Sequence, residues 1–273
     1  MGNDSTPFAC LYGCAGARTF NTEYHVLPKS ATSVEVVLPK GFVCDDCNKY
    51  FSILENHFIH RHPGSSTRLL AVKKTRKRKT PKFESAVGTA TRQDSDSGSE
   101  LKFPLNSIDH EFQPNGDIKF TGKFRPKPFD AIIVSRLLAK IALESLVQLG
   151  RLSPLWPYDA KFDAHRNYAR HGSGDIKFLW FAWKRSNEPE GKPVIIELRD
   201  EEKPSLAVLC RIQFPGVAYL VPLSSISPDA LSTPLAGWTV VANSGLVTPP
   251  DEVIELWAIR HSATTSSISE PPS

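Results

Sequence analysis

Four of the five cysteines crowd into the N-terminal 47 residues, as Cys10, Cys14, Cys44 and Cys47. The first pair is spaced C-x3-C and the second C-x2-C, with 29 residues between the pairs. Two thiolates in a short turn can occupy two corners of a tetrahedron without straining the chain. Two such knuckles complete a closed four-sulfur shell, the arrangement that suits a structural Zn2+ and offers no open position for chemistry. Gly13 and Gly16 flank the first pair and permit the sharp turn it needs. The opening stretch MGNDSTPFACLYG lacks a positive segment and a long apolar core, so no export signal is read and a reducing, cytoplasmic location is expected. Metal ligation is then favoured over disulfides. The fifth, Cys210, sits in the apolar run LAVLCRI and reads as a small buried hydrophobe.

The residues around the knuckles predict a small ββα unit. Residues 19–27 are rich in β-branched and aromatic side chains and stop at Pro28, and residues 34–38 form a second short strand stopped by Pro39. After Cys47, NKYFSILENHFIHR has helical periodicity, with Tyr50, Phe51, Leu54 and Phe58 as its apolar stripe and Pro63 beyond its end. Asn48, Ser52 and Glu55 share another face of that helix. A unit of this size is too small to rest on its own core and needs the metal.

These residues resemble a known family. HVLPKS followed by VCDDCNKYFSILE is similar to the HNH endonucleases of the zinc-knuckled ββα-metal kind. Members of that kind often read C-x(2–3)-C, E-H-[IV]-x-P-K-S, then C-x-x-C-N with an F-S-x-L-[DE] continuation. The likeness is close over residues 8–62 and looser through SRLLAKIALESLVQLG and FDAHRNYARHG. It implies that His25 is the general base that deprotonates water, a role suited to an imidazole near neutral pH. It also implies that Asn48 ligates a divalent cation, Mg2+ or Mn2+, since an amide oxygen is a hard donor. Glu55, further along the same helix, can supply a carboxylate to that ion. The chain departs from the pattern at Tyr24, where the family carries an acid, and has Glu23 one place earlier. In an extended strand Glu23 and His25 point to the same face, so Glu23 is the candidate replacement ligand. Among the nearby histidines, His57 is the best substitute ligand.

Charge adds a partner. Residues 68–82 hold eight basic side chains and no acid, so with a net charge of +4 the remainder of the chain sums to −4. Lys73, Lys74, Arg76, Lys77, Arg78 and Lys79 would neutralise phosphates and hold DNA mainly through its backbone, without reading sequence. Residues 84–102 are rich in Ser, Asp, Gly and Thr and read as a flexible linker. Beyond it, Asp130 is a candidate N-cap for a helix whose buried stripe contains Val134, Leu137, Leu138, Ile141, Ala142 and Leu146. Arg136, Lys140 and Glu144 repeat every four residues and read as its exposed face. They also interrupt residues 131–149, so no membrane span is expected. Arg166 and Arg170 share a face, to grip phosphate or to pair with neighbouring acids. The segments from IKFLWFAWK to EVIELWAIR read as strands, and their tryptophans as core.

The expected class is therefore α+β. It comprises a zinc-stapled ββα-metal module over 1–67, a basic arm and flexible linker over 68–102, a helix plus antiparallel-sheet domain over 103–262, and a disordered tail over 263–273. The expected activity is metal-dependent endonucleolytic hydrolysis of DNA. Two alternatives are a catalytically weak or inactive zinc-knuckle protein that binds DNA or RNA, and a protein-interaction module. No Walker loop, G-x-S-x-G or dinucleotide fingerprint is present, which leaves hydrolase triads and nucleotide cofactors without support.

Overall fold

The computed structural model describes residues 9–15, 18–63, 65, 82–85, 88–95, 98–102, 108–114, 118–124, 127–148, 156–173, 180–199, 206–242, 245–248 and 252–258. It is a mixed helix and antiparallel-sheet protein, as its sequence leads one to expect. Two short strands, β1 (Tyr24–His25) and β2 (Val37–Leu38), pair antiparallel with Tyr24 opposite Leu38 and His25 opposite Val37. Pro28 and Pro39 lie just beyond them, and proline's missing N–H limits how far such a ladder can run.

Helix α1 (Asp45–Arg61) starts directly after Cys44. Asp45 and Asp46 in its first turn and His60 and Arg61 in its last complement the helix dipole. Its inward face is Cys47, Phe51, Leu54 and Phe58, close to the stripe read from periodicity. Where composition suggests a linker, three strands pair antiparallel instead: β3 (Lys82–Ser85), β4 (Gly88–Ser95) and β5 (Gly98–Lys102). Gly88 and Gly98 open β4 and β5, and the intervening Thr89 and Thr91 suit an extended chain, so the residues that mimic a linker also pair as strands. Strands β6 (Ile108–Phe112) and β7 (Ile118–Phe124) follow, and then the short β8 (Phe129–Asp130).

Helix α2 (Ala131–Val147) is the centre of the molecule. The Asp130 carboxylate caps it, accepting from the N–H groups of Ile132 at 2.8 Å and Ile133 at 3.3 Å. The helix is buried on nearly every side, and this overturns one expectation. Lys140 and Glu144 are not an exposed face: both are 0% exposed. The residues that cover them come from the N-terminal segment, which packs α1 against α2. Arg136 is half-buried and donates to the carbonyls of Ala169 (3.3 Å) and Arg170 (2.8 Å), at the end of helix α3 (Asp163–His171). That helix stops at Gly172 with φ of 68°, where a Cβ would meet the Arg136 guanidinium at 2.9 Å.

The other face of α2 lies on a five-stranded antiparallel sheet. Its strands are β9 (Trp180–Arg185), β10 (Val194–Arg199), β11 (Leu206–Phe214), β12 (Val217–Pro222) and β13 (Thr239–Ala242), ordered β10-β11-β12-β9-β13. Strand β14 (Leu246–Val247) pairs with β8, and β15 (Glu252–Ala258) with β7. Trp180, Trp183 and Cys210 are core residues, and burial pushes the Cys210 thiol up to about 12. One apolar core runs from Leu11 and Phe51 through Leu138 and Ile141 to Phe214 and Tyr219. The boundaries 1–67 and 103–262 thus divide the chain but not its packing. Among the described residues no helix is long and apolar enough to cross a membrane.

The end of α1 is tied to the sheet by a buried polar contact. The Tyr219 hydroxyl donates to the Pro63 carbonyl at 3.0 Å and lies 2.9 Å from His62 Nδ1, while the His62 ring stacks on Phe58 at 4.1 Å. Tyr219→Phe leaves both partners buried without that oxygen. It should cost about 2 kcal/mol in urea unfolding, whereas a loss below about 0.5 kcal/mol would mean the contact contributes nothing.

Candidate functional site

The four cysteines converge. Sulfurs of Cys10, Cys14, Cys44 and Cys47 all lie within 4.8 Å of one another, a set that can hold a metal ion. Cys10 and Cys47 sulfurs are 3.8 Å apart, and Cys14 and Cys47 sulfurs 3.2 Å apart. Tetrahedral Zn–S bonds of about 2.3 Å put their sulfurs about 3.8 Å apart, which the Cys10–Cys47 separation matches and the shorter Cys14–Cys47 separation undercuts. Cys44 precedes α1 and Cys47 lies in its first turn, so the helix presents both on one side. The other knuckle is anchored by Leu11 N–H on the Phe42 carbonyl at 2.7 Å. Burial and the neighbouring sulfurs oppose ionisation of Cys44 and Cys47. The Cys10 thiol is drawn down to about 5 through its hydrogen bond with Cys47, while desolvation pushes Cys44 up to about 11 and Cys47 is raised chiefly by Cys10. Four thiolates in this space require a cation.

Beside this cluster the expected site residues share one cavity. It has a volume of about 350 Å³ and is lined by Glu23, His25, Asn48, Glu55 and Ser52 together with Thr22, Pro28, Lys29, Ser30 and Ile59. Strand β1 explains the placement of the first two. Tyr24 turns inward and is 4% exposed, whereas the half-buried His25 and the exposed Glu23 face the cavity. The Glu23 carboxylate lies 3.3 Å from His25 Nε2. Tyr24 lies over α2 with its ring centroid 4.7 Å from Lys140 Nζ.

Other residues differ from expectation. His57 does not line the cavity; its Nε2 accepts from the Asp130 backbone N–H at 3.3 Å, beside the cap of α2. Arg166 pairs with Asp163 and donates to the Asp159 carbonyl at 3.2 Å, and the Arg170 guanidinium lies 4.1 Å from the Tyr50 ring centroid. Both arginines make contacts within the fold. Lys73, Lys74, Arg76, Lys77, Arg78 and Lys79 lie outside the described residues.

Three participants escaped the sequence reading. Glu35 lies 3.7 Å from His25 Nδ1 and pairs with Lys29 at 2.8 Å; with Glu23 and His25 it forms a second group that can hold a metal ion. Alternation along the hairpin, with Val37 opposite His25, puts residue 35 on the same face and was the available signal. Asp45 accepts from the Thr22 hydroxyl at 2.6 Å and the Thr22 and Asn21 N–H groups at 3.0 and 3.1 Å, which ties the chain leading into β1 to the start of α1. The Thr19 and Thr22 hydroxyls hold its carboxyl well below the usual range.

The third is Lys140. Its ammonium donates to the carbonyls of His25 (2.9 Å) and Val26 (2.8 Å) and to Glu55 Oε1 (3.3 Å), and it pairs with Glu144 at 3.1 Å. The Tyr12 hydroxyl, from between the first two cysteines, donates to Glu144 Oε1 at 2.6 Å. A buried polar chain thus runs from the sulfur cluster to the cavity wall. No protein-family model, curated protein or solved structure matches this chain.

Burial pushes the Glu144 carboxyl up to about 7 from 4.5, against the pull of Lys140 and Tyr12. The folded state then holds a proton that the unfolded chain releases above pH 4.5, so this group's contribution to stability falls as pH rises from about 4.5 through 7. Relative to Glu144→Gln, the wild type should lose about 3 kcal/mol between pH 4 and pH 8 in urea unfolding. A pH-independent difference would show that Glu144 titrates alike in the folded and unfolded states.

Proposed function

We propose that the chain is a metal-dependent endonuclease of the HNH type that hydrolyses phosphodiester bonds in DNA, built on a zinc-stapled ββα-metal module. The observation that carries this reading is the meeting of Glu23, His25, Asn48 and Glu55 at one cavity, beside four cysteines spaced for a single ion. The His25 imidazole takes the proton of the attacking water. Glu23, on the same face, steadies the imidazolium that forms. Asn48 and the carboxylates of Glu23 and Glu55 would hold Mg2+ or Mn2+, which when bound supplies positive charge to the scissile phosphate and the leaving oxygen. Lys29 and Ser30 on the cavity rim offer donors to the flanking phosphate. The basic run from Lys73 to Lys79 adds backbone affinity that weakens with salt.

The cysteine cluster has a separate task. Zn2+ there would close the N-terminal loop onto α1 and fix where Asn48 emerges, one residue beyond Cys47.

A second reading, a zinc-knuckle nucleic-acid-binding protein without catalysis, draws on two contacts. Asn48 Nδ2 donates to the Thr22 hydroxyl at 2.8 Å, and one oxygen of Glu55 is engaged by Lys140. Both ligands thus have protein partners already.

Plasmid nicking decides between them. Full-length protein with Mg2+ or Mn2+ should convert supercoiled DNA to nicked circles, and His25→Ala should lower the rate at least 100-fold. Salt-sensitive gel shifts without any cleavage would favour the binding protein.

The metal assignment has its own test. Purified protein should carry one zinc per chain, and Cys47→Ala should lose it together with about 4 kcal/mol or more of stability. A metal-free preparation that unfolds at the wild-type denaturant midpoint would overturn the zinc staple.

A further inference from the structure

Lys140 has no part in the reaction as written, yet it is the most constrained ionisable group near the cavity. Its ammonium is 0% exposed, so no solvent competes for its three protons. Four oxygens surround it: the His25 carbonyl at 2.9 Å, the Val26 carbonyl at 2.8 Å, Glu144 at 3.1 Å and Glu55 at 3.3 Å. Two of these belong to the strand end that carries the His25 side chain. A third belongs to α1, which carries Asn48 and Glu55 into the same cavity. The residue that joins the two walls comes from α2, more than 70 residues downstream of α1.

We infer that Lys140 is a positioning residue for the cavity, its ammonium setting the separation and orientation of the His25 wall and the Glu55 wall. The inference rests on the nuclease reading of that cavity. Each Lys140 donor is spent on an acceptor whose displacement would move a site group. Release of the two carbonyls frees the end of β1 and hence the direction of the imidazole. Release of Glu55 lets its carboxylate rotate among competing partners. Effective catalysis depends on sub-ångström placement of such groups, whereas DNA affinity from a basic arm does not. Loss of Lys140 therefore acts on turnover and on the divalent ion, and leaves DNA binding in place. It also follows that residues 1–67 alone lack one corner of the site.

Lys140→Met alone leaves Glu144 buried without its cation and is expected to fold poorly. The double variant Lys140→Met with Glu144→Gln removes both charges at nearly constant volume, and the side-chain amide oxygen that replaces the carboxylate can still accept from Tyr12. Wild type, His25→Ala and the double variant are compared as full-length proteins for plasmid nicking, Mn2+ affinity by electron paramagnetic resonance, zinc content and Tm. The expected result is a double variant with wild-type zinc content and a Tm within a few degrees. Its kcat should be at least 10-fold lower with KM for DNA unchanged, and its Mn2+ binding weaker. A double variant with wild-type kcat and Mn2+ affinity overturns the inference while leaving the nuclease reading intact. So does one in which kcat, KM, zinc content and Tm all fail together, since that marks a purely structural pair. Wild type that does not nick, or nicks no faster than His25→Ala, overturns the nuclease reading itself and the inference with it.

Discussion

An ammonium with no access to water, held between two backbone carbonyls and two carboxylates, organises this molecule. Removing Lys140 and Glu144 from water is costly, and their mutual attraction offsets that cost only when the remaining donors and acceptors are satisfied. Here most are: the ammonium reaches four oxygens, and Glu144 also accepts the Tyr12 hydroxyl. The Tyr24 ring covers the ammonium from one side. A hydrophobic pair of equal volume would give comparable stability but would tolerate sliding between α2 and the N-terminal segment. The directed contacts instead tie α2 to the end of β1 and to Glu55 on α1, and both of these line the cavity.

The sulfur cluster fixes the other end of the same assembly. Cys44 immediately precedes α1 and Cys47 stands in its first turn, so whatever closes the sulfurs also sets the start and rotation of that helix. Asp45 acts in the same place by binding the backbone of Asn21 and Thr22, three and two residues ahead of Tyr24. Tyr12 links the cluster to Glu144, and Glu144 links to Lys140. The cysteines, the buried ion pair and the cavity are therefore one mechanical unit, spanning segments that the sequence separates by more than 100 residues.

What could be read in advance follows from the range of each signal. The cysteine pairs, the α1 stripe, the Asp130 cap and the strands of the large sheet are local patterns, and each appears in the structure. Lys140 and Glu144 misled because a Lys–Glu pair four residues apart looks like a solvated helix face. Only the presence of a covering segment distinguishes the two cases, and that is a tertiary fact. Glu35 needed the hairpin register, which rests on two residue pairs and leaves little trace in composition. Residues 84–102 misled in the opposite direction, because Gly and Ser with Thr are as compatible with paired strands as with a tether.

The tyrosine at position 24 gains a physical meaning from the same contacts. Strand alternation sends residue 24 inward, where it meets Lys140 and lies close to Glu144. A carboxylate there would bury a second acid beside Glu144, next to an ammonium that already serves Glu144 and Glu55. An aromatic ring instead offers its face to the cation and fills the volume, and burial and the nearby Glu144 keep its hydroxyl protonated. Glu23, one residue earlier, is placed by alternation on the His25 side and in reach of the imidazole. Tyr24 and Lys140 thus form a matched pair across the interface between β1 and α2. Residue 24 thus faces the buried lysine, while residue 23 faces the cavity.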